Sequence, residues 1–232
     1  MSRLILLSIA ALAATVAAQA PVECNPLNST TPCADNPALG TTYTATFNTS
    51  QTQLDPRFFN VSAGANNIKF TNKGAEMTIA ESGQSVTAQT SFYIMFGTVE
   101  VIMQAAAGVG IISTFDLMSD DADEIDLEIM GGNTTTVESN TFGWGNKTQH
   151  NALYHPCDGP AESMHNYTIV WSAEQIEWFV DGQSVRIMPY TDPGVYPQTP
   201  SYVKFGIWAG GDQSQPEGTR EWAGGNVSWS KG

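Results

Sequence analysis

The stretch DEIDLE, residues 123–128, alternates acidic and aliphatic side chains with a period of two. Alternate side chains of a β-strand point to opposite faces. Glu124, Asp126 and Glu128 therefore share one face, and the aliphatic residues share the other. The alternation predicts a half-buried strand that carries three carboxylates in a row.

These three carboxylates lack a counter-charge nearby in the sequence. No Lys or Arg lies between Lys73 and Lys147. Neighbouring like charges disfavour each other's ionised form, and a fold that keeps them needs a compensating reason. A functional site is the interpretation that supplies one.

The spacing of the two glutamates fits one reaction chemistry. Four residues of extended strand separate the Cα atoms of Glu124 and Glu128 by about 13 Å. Each side chain can lean about 4 Å toward the other, which leaves about 5 Å between the carboxyl groups, as in retaining glycosidases. One Glu then serves as nucleophile and the other as proton donor, while Asp126 hydrogen-bonds one of them.

Three structural alternatives compete with a catalytic pair. A solvated acidic loop fits Asp120 and Asp121 but not the aliphatic alternation that follows. A calcium loop that starts at Asp121 requires Gly at its sixth position, where the sequence has Asp126. Gly131 and Gly132 disfavour a helix. Spacing alone leaves the choice between catalysis and a structural role open.

Composition excludes some partners. The chain has 232 residues, of which 9 are Lys or Arg and 23 are Asp or Glu, for a formal charge of −14. Nucleic acid and anionic membranes both favour basic surfaces, so we expect neither as a partner. Neutral polymers remain compatible, and the length allows one β-rich domain with a sizeable core.

Several segments of the sequence indicate a secreted protein. Residues 1–20 combine Arg3, an apolar run over 4–18 and an A-x-A-like site at 18–20, which predicts a cleaved secretory signal. No second segment approaches the roughly 20 apolar residues of a transmembrane helix. The chain ends at Gly232 without the hydrophobic tail of a lipid anchor. Glycosylation sequons begin at Asn28, Asn48, Asn60, Asn133, Asn146, Asn166 and Asn226.

From residue 41 onward, short β-prone runs alternate with turn residues, which predicts an all-β sandwich or jelly roll. We expect a single domain over residues 21–232, with 21–40 as an N-terminal segment. Asp181-Gly182 predicts a hairpin turn. The predicted strands are 42–47, 67–72, 76–80, 92–105, 110–117, 123–129, 138–144, 167–172, 175–180, 184–188, 203–209 and 227–230.

Several aromatic residues are candidates for stacking against sugar rings, whose C–H faces pack on indole and phenol rings. Trp144, Trp208 and Trp222 each lie beside or near Gly in the sequence, and Tyr154 and His155 form a second candidate group. A core position is the alternative for each Trp, and a structural hydrogen bond is the alternative for His155.

Two other groups of residues are candidates for a site. Glu100 and Gln104 share one face of a predicted strand and either line a cleft or lie exposed. In an oxidising compartment Cys24 and Cys33 close a small loop, which leaves Cys157 unpaired. With three His and three Cys, none at zinc-finger spacing, we expect no metal and no cofactor.

Four segments together resemble one enzyme family. Residues 124–128 resemble the E-x-D-x-E signature of glycoside hydrolase family sixteen, and residues 96–101, 165–171 and 176–182 match the family in the same order. Within it, the chain is most similar to the fungal Crh-type enzymes. That similarity is carried by residues 123–126 with 131–132, 140–143, 154–155 and 222–225, and by the pair Cys24 and Cys33.

The resemblance implies a β-jelly roll of two antiparallel sheets with a concave substrate cleft. It implies a retaining transglycosylase that transfers chitin fragments to β-glucan or chitin acceptors in the fungal cell wall. Glu124 would be the nucleophile, Asp126 its helper and Glu128 the acid/base, with Asn140 and Phe142 in the substrate cleft. Family members often carry a Ser/Thr-rich tail with a lipid-anchor signal, which this sequence lacks.

Two other functions remain open at this point. One is an endo-β-glucanase that hydrolyses β-1,3 or mixed-linkage glucan, because the catalytic strand does not determine whether water or sugar accepts the fragment. The other is a carbohydrate-binding sandwich without turnover, in which the acids are structural. For each of these functions we expect a secreted monomer.

Overall fold

The computed structural model describes residues 30, 33–146, 148, 151–191 and 195–229. The chain divides into two compact units, Met1–Ala34 and Asp35–Gly232, and every strand below belongs to the second. The predicted signal segment, residues 1–20, lies outside the described residues. Cys24 also lies outside them, so its pairing with Cys33 stays a prediction. Cys157 is a buried free cysteine.

The described part of the chain is almost entirely β-structure. Its strands are β1 (Phe59–Ala63), β2 (Ile68–Thr71), β3 (Gly74–Met77), β4 (Ser85–Thr90), β5 (Gly97–Met103), β6 (Ile111–Ser119), β7 (Glu124–Met130), β8 (Thr136–Phe142), β9 (Leu153–Pro156), β10 (His165–Trp171), β11 (Gln175–Val180), β12 (Gln183–Pro189) and β13 (Ser201–Ala209). A short 3-10 turn spans Ala65–Asn67, and one short helix, α1, spans Glu217–Trp222.

Two antiparallel sheets form the sandwich. The larger has the order β1-β4-β13-β6-β7-β8-β9, the smaller has the order β12-β11-β10-β5, and β2 and β3 form a separate pair. The aliphatic face of β7 packs in the core between the two sheets, where Ile125 and Leu127 are almost completely buried with Trp171 and Trp178. The Trp178 indole N–H donates to the Asp126 carbonyl at 3.1 Å, which joins the smaller sheet to β7.

This architecture confirms the predicted all-β jelly roll. The hairpin at Asp181 joins β11 to β12, as the Asp-Gly pair predicted. The strand predicted over 42–47 was wrong: this segment is irregular, and Tyr43 and Phe47 pack their rings against neighbours such as Phe59. Residues 227–229 form no strand either, because the Val227 N–H donates to a loop carbonyl rather than to a sheet.

A glycine shapes the sheet beside the acidic strand. Gly206 of β13 pairs with Thr114 of β6, which in turn pairs with Glu128 of β7. A β-carbon at Gly206 would lie 2.0 Å from the Val86 carbonyl oxygen, so only glycine fits where β4 and β13 approach.

Candidate active site

The three acids lie on the outer face of β7, near the middle of the larger sheet. Their strand has β6 on one side and β8 on the other. Asp126 is 2% exposed, whereas Glu124 and Glu128 are partly exposed. The aliphatic residues of β7 therefore lie in the core, and its acids lie on the opposite face of the sheet.

Cross-strand pairing surrounds Asp126 with polar side chains. Asp126 pairs with Asp116 on β6 and with Asn140 on β8. Lys204 on β13 pairs with Asp116 from the far side. Residues in register across antiparallel strands share a face, so these four side chains form one row across four strands.

Three carboxylates of this site are close together. One carboxylate oxygen from each of Asp116, Glu124 and Asp126 lies within 4.8 Å of the other two. Asp126 Oδ1 is buried and has no hydrogen-bond partner among the described residues. Burial raises the pKa of Asp126 well above its ordinary value, and the charges of Asp116 and Glu124 raise it further. Both effects favour the protonated form of Asp126.

The surroundings of Glu128 favour its protonated form. It pairs with Thr114 on one side and with Glu138 on the other. Burial raises the pKa of Glu128 well above its usual range, with further contributions from Asp116 and Glu138, while Lys204 opposes the shift. A carboxyl group that stays protonated near neutral pH is what general-acid catalysis requires.

Lys204 is the counter-charge that the sequence around the acids lacks. Its Nζ lies 3.6 Å from Asp116 Oδ2. Burial alone lowers the pKa of Lys204, but Asp116 and Glu124 outweigh burial, so that the pKa is raised and the ammonium stays charged. Sequence analysis missed Lys204 because it is far from the acids along the chain. It missed Asp116 as well, although an acid within the otherwise mostly apolar segment 110–117 could have indicated a site residue.

Asp123 fixes the start of the acidic strand. Its carboxylate accepts hydrogen bonds from the backbone N–H groups of Trp144, Gln198 and Thr199, at 2.8, 2.8 and 3.1 Å, and from the Thr199 hydroxyl at 2.7 Å. Asp123 is 1% exposed. This acid therefore anchors two loops to the beginning of β7 and has a structural role.

The aromatic candidates lie in two groups on the β8 side and at the end of β13. Phe142 pairs with Glu124, and Trp144, in the turn that follows, is half exposed. Trp208 and Trp222 stack with ring centroids 5.9 Å apart. Trp208 also lines a cleft of about 390 Å³ together with Glu124 and Glu128.

Glu138 joins two of the candidate aromatics. The Trp222 indole N–H donates to Glu138 Oε2 at 2.8 Å. Tyr154 pairs with Glu138 from β9, and burial, together with a hydrogen bond to Glu138, raises the pKa of Tyr154 to about 12. The structure thus brings Tyr154, Trp222 and Glu138 together beside Glu128, and Glu138 was not among the predicted site residues.

Three predicted site residues lie elsewhere. His155 was wrong as a cleft residue, because the alternation of β9 turns it toward the core, where its Nε2 lies 2.7 Å from the Ser139 hydroxyl. Burial, and then the charge of Arg186, lowers its pKa. Glu100 and Gln104 were also wrong as cleft residues, since they lie on or beside β5 of the smaller sheet. There Glu100 accepts from the Asn166 amide at 2.9 Å, and Gln104 donates to a backbone carbonyl at 2.8 Å.

A jelly roll with a row of acids on one strand is typical of the glycoside hydrolase and transglycosylase class of carbohydrate-active proteins. The chain belongs to the Glycosyl hydrolases family 16, whose sequence profile matches residues 56–224. This finding confirms the resemblance carried by the E-x-D-x-E stretch.

Individual relatives refine the comparison. The chain is 48% identical over 222 residues to Crh-like protein 2 of Botryotinia fuckeliana, covering 93% of this chain and 48% of that protein. It is similar to the solved structure of Crh5 transglycosylase in complex with NAG, with 42% identity, a TM-score of 0.83, and coverage of 90% of this chain and 86% of that one. A Bacillus licheniformis β-glucanase shares 25% identity and a TM-score of 0.64, with coverage of 75% and 87%.

The chain spans about half the length of the curated relatives it matches, with 48% and 56% of the first two covered. In the described part of the chain, none of the helices has the length and hydropathy needed to cross a bilayer.

Proposed function

We propose that this chain is a retaining transglycosylase that cleaves chitin-type β-1,4 chains and transfers the fragment to β-glucan or chitin. The observation that carries the proposal is the row of acids on β7, in which Glu124 and Glu128 border one cleft and burial raises the pKa of Asp126 and of Glu128 well above the ordinary range. The similarity to a Crh transglycosylase bound to NAG, the repeating unit of chitin, supports the choice of donor.

In the first step, Glu128 donates its proton to the glycosidic oxygen while Glu124 attacks the anomeric carbon. The C–O bond to the leaving chain breaks, the leaving chain takes the proton, and a glycosyl ester forms on Glu124. Glu124 and Glu128 both border the same cleft, which lets them act on one bound sugar. Asp126 lies between them on the same strand face and hydrogen-bonds the nucleophile.

In the second step, Glu128 is ionised and acts as a base. It removes a proton from the hydroxyl of an incoming sugar, whose oxygen attacks the anomeric carbon and displaces Glu124 as a carboxylate. Both acids return to their starting protonation states, and a new glycosidic bond replaces the broken one.

The aromatic residues on the β8 side supply surfaces for sugar binding. Trp144 and Tyr154 are each about half exposed, and Trp222 is held through Glu138. Exposed aromatic rings can pack against the C–H faces of sugar rings. We assign these three residues, with Phe142, Asn140 and Trp208, to substrate binding.

Hydrolysis of glucan is the second candidate, favoured by the structural similarity to a Bacillus β-glucanase. Both activities use the same first step, and they differ in whether water or sugar accepts the fragment. The distinction therefore depends on the acceptor side of the cleft rather than on the acidic strand.

The experiment that separates the two activities uses a chitin oligosaccharide donor and a fluorescently labelled β-glucan acceptor. Mass spectrometry of the products is expected to show label on chains extended by donor sugars. Products that are only shortened and unlabelled would support hydrolysis. Glu124→Gln is expected to abolish both types of product, and a folded Glu124→Gln protein with wild-type activity would contradict the assignment of the nucleophile.

We also propose that the protein is a monomer that acts at the cell wall, and that it is secreted, as its N-terminal segment and sequons indicate. Expression in a fungal host tests this. Glycosylated protein in the medium or wall fraction, without residues 1–20, is the expected result.

A further inference from the structure

Asp116 and Lys204 face the acidic strand without belonging to it. Asp116 is 3% exposed and lies on β6, directly opposite Asp126. Lys204 lies on β13, directly opposite Asp116. Across the sheet, the order of side chains is therefore the Lys204 ammonium group, the Asp116 carboxyl group, the Asp126 carboxyl group and the Asn140 amide.

Two buried carboxyl groups this close do not both ionise readily. An oxygen of Asp116 and one of Asp126 lie within 4.8 Å of each other. When one is ionised, its charge disfavours ionisation of the other, as in other paired carboxyl groups that hold one proton between them. The question for the mechanism is which of the two keeps that proton.

The contacts of the two carboxyl groups are unequal. Asp116 Oδ1 accepts a hydrogen bond from the Thr114 hydroxyl at 2.5 Å, and its Oδ2 lies 3.6 Å from Lys204 Nζ. Both contacts stabilise the ionised form of Asp116. Asp126 Oδ1 has no such partner among the described residues.

We propose that Asp116 and Lys204 are positioning residues that keep the proton of the facing pair on Asp126. A protonated Asp126 donates a hydrogen bond to Glu124, holds its carboxylate in place for attack, and stabilises it again when it is displaced. This inference rests on the proposed role of Glu124 as nucleophile. Both residues also line the cleft that Glu124 and Glu128 border, and the inference assigns their effect to the proton on Asp126 rather than to sugar binding.

The other titratable groups around Asp126 are compatible with this assignment. Its own strand contributes Glu124 and Glu128, whose negative charges favour the protonated form of Asp126. β8 contributes Glu138, and β13 contributes Tyr202 besides Lys204. Among the described residues of this row, Lys204 supplies the positive charge. It forms an ion pair with Asp116 rather than with Asp126.

The test combines three variants with NMR of the aspartate carboxyl carbons, whose shifts report ionisation. In the wild type, Asp126 is expected to remain protonated at a pH where Asp116 ionises. Asp116→Asn removes a negative neighbour, so the proton affinity of Asp126 should fall by about tenfold or more. Lys204→Met should instead raise the proton affinity of Asp116 by a similar factor, and Lys204→Arg should restore it.

Kinetics provide the second readout. Asp116→Asn should lower kcat most strongly on the alkaline side and shift the alkaline limb of the kcat profile to lower pH, with KM changed less than about twofold. Glu177→Gln is the matched control, because it removes a carboxylate of similar hydrogen bonding from the smaller sheet. It should move neither the NMR titration nor the profile.

An ionised Asp126 with a protonated Asp116 in the wild type would overturn the assignment. So would loss of activity in both variants without any change in carboxyl titration, because that pattern indicates only a structural role. If the wild type shows no transfer but the proton lies on Asp126 as expected, the proposed function fails and the proton assignment stands.

Discussion

Both sheets of this protein carry carboxylates on their outer faces, but the two sheets place them in different environments. On the smaller sheet Glu100 and Glu177 face outward and accept hydrogen bonds from neutral groups, the Asn166 amide at 2.9 Å and the Ser184 hydroxyl at 2.5 Å. On the larger sheet Asp126 is buried, and its Oδ1 has no partner among the described residues. Alternation alone does not separate these two environments.

This difference shows that the acids on the strands beside β7, and not the sequence of β7 alone, determine the protonation of its carboxyl groups. On β7 two of the three acids lie opposite another acid on a neighbouring strand: Asp126 pairs with Asp116, and Glu128 pairs with Glu138. Burial and the neighbouring negative charges then raise the pKa of Asp126 and of Glu128. If this difference matters for function, substituting an acid of the larger sheet should affect activity far more than substituting an acid of the smaller sheet.

The largest effect is expected for the glutamates of the row. Glu124→Gln removes the proposed nucleophile and Glu128→Gln removes the proposed proton donor, so each should lower kcat by about 10³-fold or more. Transfer to a labelled acceptor measures the loss, and circular dichroism should show an unchanged fold. Glu177→Gln on the smaller sheet is the control and should retain activity within about twofold. A similar loss in that control would remove the distinction between the sheets.

The next effect concerns stability. Leu127→Ala opens a cavity in the core beneath the acidic row, where Leu127 is 1% exposed, and should cost about 3 kcal/mol of unfolding free energy. Ile102→Ala, on the outer face of the smaller sheet at 65% exposure, should cost less than about 0.5 kcal/mol. Urea unfolding measures both. Equal costs would mean that the core does not lie where the structure places it.

The buried acids also predict how stability depends on pH. Burial raises the pKa of Asp116 to about 7, so the native state binds more protons than the unfolded chain between the unfolded value near 4 and that pKa. Stability should therefore fall as the pH rises through this window, in contrast to a protein stabilised by ionised carboxylates. Urea unfolding at several pH values measures the slope, and Asp116→Asn should reduce it. A slope of the opposite sign would contradict the assigned burial.

The acidic strand and the fold class were predictable because they depend on local pattern. The period-two alternation of 123–128 placed Ile125 and Leu127 in the core and the acids on the opposite face. Asp181 and Gly182 predicted the hairpin between β11 and β12 for a similar reason, since turn chemistry is local.

Partners brought together by the fold were not predictable in this way. Lys204 reaches Asp116 only because β13 inserts between β4 and β6 in the sheet. β9 is so short that its pattern did not show His155 turning inward and Tyr154 turning outward. β4, with the sequence SVTAQT, was missed because two of its three buried positions, Ala88 and Thr90, carry a small and a polar side chain.

The smallest effect is expected at the edge of the row, where an acid and an aromatic residue meet. Trp222→Phe keeps an aromatic ring against Trp208 but removes the N–H that donates to Glu138 Oε2. A lost hydrogen bond to a charged group costs about 1.5–3 kcal/mol, and part of that cost should appear as a rise in KM of about threefold to tenfold. Because Trp222 has no part in proton transfer, kcat should change much less than in Glu128→Gln. Steady-state kinetics with chitin oligosaccharides separates the two constants, and Trp229→Phe, whose N–H donates to Asp212 instead, is the matched control. A fall in kcat with unchanged KM would show that the Trp222–Glu138 contact acts on Glu128 rather than on sugar binding, and would extend the catalytic row to β8.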